Sequence, residues 1–257
     1  MMVVSYYASN RGGVLTGLAG LTALSWAYLL YQDWAMGHMD IAPMAMPNLD
    51  VWGPWDLAIV FCMWAVMMVG MMLPSVTPTV LLYAAVSGKR REQGQPNAAT
   101  WFFVSGYLIA WTLFSVLATL AQWLLRSATL VSPFMDSTGP VLGGAMLIAA
   151  GIYQWTPLKH ACLTHCRSPL AFLLTKWRDG ARGALAMGFR HGLFCTGCCW
   201  LLMGILFVVG VMNLLWVALL AAFVLMEKIL PHGDWFGRAA GLVLIGWGAW
   251  MAISTAA

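Results

Sequence analysis

The stretch Arg190-His191-Gly192-Leu193-Phe194-Cys195-Thr196-Gly197-Cys198-Cys199-Trp200 places one imidazole and three thiols inside a run that otherwise reads as a membrane-spanning helix. On a helix, positions i, i+4 and i+7 or i+8 share a face. His191, Cys195 and Cys198 or Cys199 therefore form one polarizable stripe. Imidazole and thiolate are the donors that hold copper(I), zinc or iron, so the stripe is a candidate soft-metal site, for copper before zinc. Taken singly, each Cys also packs as a small apolar side chain, and His191 also serves to cap the polar end of a span. The four residues together are what point to a ligand set.

Further soft donors lie at other levels of the chain. His160, Cys162, His165 and Cys166 follow each other closely in the pattern K-H-x-C-x-x-H-C-R, and on a helix Cys162, His165 and Cys166 could face one ion or one another. A reducing cytosol disfavours a disulfide there, which leaves ligand or reactive-thiol roles. Met36, His38, Met39, Met44 and Met46 crowd a proline-marked stretch, where thioethers suit copper(I) or simply lie on a membrane surface. Met63, Met67 and Met71 repeat at i, i+4 and i+8 beside Met68 and Met72, giving one ridge that serves either packing or metal. Pro74 and Pro78 each remove an intrahelical hydrogen bond, so the second half of that helix is predicted to kink, with Ser75 and Thr77 satisfying freed carbonyls. Glu227 is an acid inside an apolar run, a costly placement that is usually functional. Depth matching puts it near His191, whose ring it is expected to orient; pairing with Lys228 or snorkelling to the interface are the plainer roles.

The elements that must hold these residues follow from composition. Of 257 residues, 61% are hydrophobic and 9% charged, and the mean hydropathy is +0.80. Such a chain is an all-α, polytopic transmembrane helical bundle. Apolar runs near 14–32, 56–82, 100–125, 139–156, 185–209, 211–230 and 238–254 each approach the roughly 20 residues needed to cross the hydrocarbon core, giving seven spans. Lys89, Arg90, Arg91, Lys159, Arg167, Lys176, Arg178, Arg182, Lys228 and Arg238 gather on one side with Arg11, and only Arg126 falls on the other. The positive-inside rule then places the N-terminus inside. The first span reads as an uncleaved anchor. The whole of 1–257 is expected to be a single integral membrane domain, with an outer Met/His loop at 33–55 and an inner Cys/His loop at 157–184. Gly143 and Gly144 in the fourth span, and Gly237 and Gly241 in the last, offer close helix packing. Aromatic residues near both ends of the third span form a belt and show no chemistry.

The run Tyr153-Gln154-Trp155-Thr156-Pro157-Leu158-Lys159…Cys162-Leu163…Cys166-Arg167-Ser168-Pro169, continued by Met187-Gly188…His191-Gly192-Leu193…Cys195-Thr196-Gly197-Cys198-Cys199-Trp200, Met212-Asn213-Leu214-Leu215-Trp216 and Glu227-Lys228, resembles a family of uncharacterised bacterial integral membrane proteins predicted to bind metal. The block Met71-Met72-Leu73-Pro74-Ser75…Pro78 is similar to a second signature of that family, and the likeness covers most of 56–235. It implies a metal-binding membrane protein and leaves metal and task open.

The net charge of +4 is dispersed between spans, which excludes nucleic acid as a partner. No phosphate-binding loop of the Walker type and no nucleophile elbow is present, so an ATP-driven pump within the chain and an acyl-transfer enzyme are both disfavoured. The reading is a multi-pass protein of a bacterial cytoplasmic membrane that binds copper or zinc for transport, handling or insertion into a membrane or small soluble metalloprotein partner, with oligomers compatible. The rivals are a thiol–disulfide or quinone-linked redox protein using Cys162/Cys166 and Cys195/Cys198, and an accessory subunit of a membrane enzyme. A haem site lacks a second intramembrane His.

Overall fold

The computed structural model describes residues 2–38, 52–128, 139–231 and 233–254. Among these the chain is helical and carries no strand, as the sequence predicts. In order the helices are α1 (Met2–Gly37), α2 (Pro54–Glu92), α3 (Thr100–Ser127), α4 (Pro140–Tyr153), α5 (Pro157–Arg167), α6 (Pro169–Thr175), α7 (Gly180–Gly204), α8 (Leu206–Val209), α9 (Leu214–Ile229) and α10 (Gly233–Ser254).

Five stretches are long and apolar enough to cross a membrane: Gly12–Met36, Pro54–Glu92, Thr100–Ser127, Gly180–Val209 and Gly233–Ser254. A sixth arises if α4 and α5, which meet at 63°, count as one bent span. The seven apolar runs in the sequence also include α9, whose 16 residues reach about 24 Å at 1.5 Å per residue, short of a perpendicular crossing. Large apolar side chains such as Leu24, Leu117, Val243 and Trp250 cover the outside of the bundle. That perimeter is compatible with a multi-pass membrane protein.

Glycine seams set the helix pairs. A Cβ built on Gly144, Gly151, Gly241 or Gly248 would lie 2.6–2.8 Å from a carbonyl oxygen of the opposite helix, so α4 and α10 touch backbone to backbone, antiparallel. Of these, Gly144 and Gly241 were expected to pack closely, though not as partners in one seam. Between α3 and α7, Gly188 meets the Phe103 carbonyl and Gly106 the Leu185 carbonyl in the same manner, with the two helices parallel.

Local chemistry explains the breaks. Pro157 opens α5 and Thr156 caps it, accepting from the Lys159 backbone N–H at 3.3 Å. Gly210 adopts φ 94°, a conformation that favours glycine, and Asn213 then caps α9. Pro74 and Pro78 do not end α2, which runs through both. Ser75 and Thr77 donate to the Met72 and Leu73 carbonyls, which the prolines do not free, and it is Trp26 of α1 that donates to the Gly70 carbonyl that Pro74 leaves without its helical donor. The expected inner loop at 157–184 is largely helix: α5 and α6 turn inward and bury Leu163, Cys166, Phe172 and Leu173.

Candidate metal centre

Cys195 is the hub of the interior. Its sulfur accepts from Lys228 Nζ at 2.9 Å and lies 3.1 Å from the Tyr107 hydroxyl. The thiols of Cys166, Cys198 and Cys199 interact with it as well. Cys198 and Cys199 also donate to the Cys195 carbonyl, each at 3.0 Å. All four sulfurs are free thiols in buried residues. Lys228 continues to Ser75 Oγ at 2.9 Å, and Tyr107 also faces the Met72 carbonyl. The centre is therefore walled by α2, α3, α5, α7 and α9.

Each wall follows from sequence spacing. On α7, Cys195, Cys198 and Cys199 stand at i, i+3 and i+4 and all turn inward. On α5 the buried face is Lys159, Leu163 and Cys166, at i, i+4 and i+7. The elbow after α4 swings this face onto α7, which is why Cys166 arrives beside Cys195 although 29 residues separate them. Tyr153 at the end of α4 donates to the Gly197 carbonyl and fixes the elbow against the thiol-bearing turn.

The remaining predicted donors are distributed differently. His191 is 3% exposed, among the rings of Phe103, Tyr107 and Phe172, and its Nδ1 has no hydrogen-bond partner. Glu227 does not orient it. Glu227 pairs with Lys159 at 2.5 Å, and Lys159 also donates to Gln154. The depth argument misplaced the acid because the α4–α5 elbow brings a lysine to the same level, and an ion pair is the cheaper way to bury a carboxylate. Cys162, His165 and Cys166 do lie on one helix but do not face one point. Cys162 packs near Gly197, His165 is exposed and stacked on Phe194 with centroids 4.3 Å apart, and only Cys166 enters the centre. His160 is exposed, 3.5 Å from Asp234. Met63, Met67, Met68, Met71 and Met72 are all buried, so the predicted ridge faces inward. His38 is exposed and stacks on Trp34, Met36 is half-buried, and Met39, Met44 and Met46 lie outside the described residues.

Two residues of the centre escaped the sequence reading. Lys228 was weighed as a partner for Glu227 and as one of the inside basic residues; its place four residues after Val224 on the inward side of α9 was the available signal. Tyr107 carried none beyond being a hydroxyl in an apolar span.

The donor chemistry fits a soft cation, and the residues fit its charge. Thiolates in a low-dielectric interior repel each other and lose hydration, so an ammonium at 2.9 Å offsets one of them. Among the described residues no three His, Cys, Asp or Glu side chains already surround a common point. Cys198 and Cys199 instead turn their thiols back onto the Cys195 carbonyl within the helix.

Fold and centre together define a class: an apolar helical bundle with a buried, lysine-compensated thiol cluster suited to a soft metal. A family model described as PpoB2, copper chaperone, matches residues 61–251. The chain belongs to this family, which carries a copper-handling role. No curated protein and no solved structure matches it.

Proposed function

We propose that this protein is an integral membrane copper(I) chaperone that takes the ion on Cys195 with Cys166 and one of Cys198 or Cys199, and passes it to a partner metalloprotein. Convergence of thiols from two separate helices on one sulfur is the observation that carries the reading. Copper(I) prefers few, soft ligands, and with one of the three cysteines remaining a neutral thiol, two thiolates, one copper(I) and the Lys228 ammonium sum to zero charge. Neutrality is what a dry helical interior demands. Binding displaces thiol protons. Lys228 holds Cys195 from one side, Tyr107 orients it from the other, and a rotamer change at Cys198 or Cys199 frees a third sulfur from the helix carbonyl. His191, one turn from Cys195 with an open nitrogen, is the next donor for an ion leaving the cluster. The inward Met ridge of α2 adjoins the same centre through Met72 and Ser75. With the Lys/Arg-rich ends in the cytoplasm, the centre lies near the middle of a cytoplasmic membrane.

The test is a copper(I) titration of the reduced, detergent-purified protein against a chromophoric chelator. Cys195→Ser is expected to weaken affinity roughly 100-fold or more, since one thiolate carries a large part of the binding free energy, and Cys166→Ser to weaken it as well. Cys62→Ser, on the bundle surface, leaves it unchanged. Unaltered affinity in Cys195→Ser, with loss in a His160/His165 double variant, refutes the assignment.

A further inference from the structure

A second site lies on the other side of α9. The α4–α5 elbow and the start of α10 enclose a cleft of about 310 Å³. Its floor is built from residues almost wholly removed from solvent: Glu227, Lys159 and Gln154 are 1%, 2% and 6% exposed. Gly237 lets α10 pack directly on Glu227, because a Cβ there would collide with Oε1.

The polar groups of the cleft can be accounted for one by one. Glu227 is taken by Lys159. Asp234 is taken by Arg167 at 3.3 Å and His160 at 3.5 Å. Arg167 also donates to the Leu230 and Pro231 carbonyls, both at 2.6 Å. Two groups are left over. Gln154 Nε2 is buried and has no hydrogen-bond partner. Arg238 lies over the Trp155 ring, 5.7 Å from its centre, with no carboxylate partner among the described residues. Both are donors, so the deficit of the cleft is an acceptor carrying negative charge. They reach in from the C-cap of α4 and from α10, and a tetrahedral oxyanion presents oxygens in both directions. Arginine binds such groups through its planar fork. Exposed Trp155 and Leu158 make the flank apolar on the bundle perimeter, where an acyl chain would run.

We propose that this cleft binds a phosphate group, presented by a phospholipid headgroup or by free phosphate. Basic pockets between membrane helices on the cytoplasmic side hold lipid phosphates in the same way. The site shares α5 and α9 with the thiol centre but none of its donors.

The experiment uses the delipidated full chain in detergent. Native mass spectrometry measures retention of dioleoyl phosphatidic acid against dioleoylglycerol, which has the same chains and no phosphate, and thermal unfolding measures protection by inorganic phosphate. Retention of the phosphatidic acid, reduced roughly tenfold or more by Arg238→Gln and by Gln154→Leu, is expected for the lipid source. Protection by inorganic phosphate that disappears in Arg238→Gln, without lipid retention, supports the free-ion source. Arg238 is exposed, so its variant reports binding and not folding. Lys176→Gln, an equally exposed cation elsewhere, should leave both signals intact. Binding that is insensitive to Arg238→Gln, or lost equally in Lys176→Gln, or absent for both probes, overturns the proposal.

Discussion

The Lys159–Glu227 pair gives the sharpest quantitative expectation. Their side chains are 3% and 2% exposed and 2.5 Å apart, so neither charge has water to fall back on. Removing one partner of such a pair leaves the other buried and uncompensated, at a cost of about 3–5 kcal/mol. Lys159→Met keeps the length of the side chain and Glu227→Gln its shape, which matters because Gly237 leaves no slack beside the carboxylate. Each single variant should therefore shift the unfolding equilibrium by roughly two to three and a half orders of magnitude, at 1.4 kcal/mol per tenfold. The double variant removes both charges together and should regain most of the loss, giving a coupling of several kcal/mol in a double-mutant cycle. Reversible unfolding in mixed micelles, followed by tryptophan fluorescence, reads this directly. Copper(I) affinity is measured in parallel on folded protein. If Glu227→Gln keeps full stability while copper affinity falls ten- to a hundredfold, the acid serves the metal centre as the sequence alone suggested, and the ion-pair account is refuted.

Thiol accessibility should follow burial and not the motif. A membrane-permeant maleimide is expected to label surface Cys62 first and half-buried Cys162 next, with Cys166, Cys195, Cys198 and Cys199 last; peptide mapping that finds Cys166 modified ahead of Cys62 contradicts the inward placement of α5. The α3–α7 seam should tolerate no side chain at Gly188, where a Cβ collides with the Phe103 backbone. Gly188→Leu is expected to cost at least about 1–3 kcal/mol and to lower copper affinity by moving Tyr107 off Cys195, measured by unfolding and by chelator competition.

Much of the fold was legible because it depends on short-range pattern. Apolar run length marks the long helices, and the i, i+4, i+8 recurrence of Met63, Met67 and Met71 marks the inward face of α2. The inward stripe of α7 was readable for the same reason. What was not readable depends on chain separation. Glu227 finds Lys159 across 68 residues, and although Pro157 marks a break, nothing local announces that α5 turns by 63° from α4. The K-H-x-C-x-x-H-C-R segment looked like one ligand cluster because its donors are close in sequence. Its helix, amphipathic with Lys159, Leu163 and Cys166 as the buried stripe, sends His160 and His165 outward instead. A lysine in an apolar stripe was the overlooked sign that a buried acid had to face it.

The adjacency of Glu227 and Lys228 ties these pieces into one device. Successive residues on a helix point about 100° apart, so the last turn of α9 serves two neighbours at once. Glu227 grips Lys159 on α5, and Lys228 reaches Cys195 on α7 and Ser75 on α2. Lys159 and Cys166 share the buried face of α5, two turns apart. The ion pair is thus the clamp that holds Cys166 over the α7 thiols, and Lys228 is the charge that makes a thiolate tolerable beneath it. Breaking the clamp should release Cys166 before the α7 cysteines, because these belong to a single continuous helix and keep their spacing without it. In Lys159→Met, Cys166 should therefore become the thiol whose alkylation rises most, while Cys195 and Cys198 stay protected. Equal rises at all four would mean that the bundle opens as a whole and that the clamp has no local role.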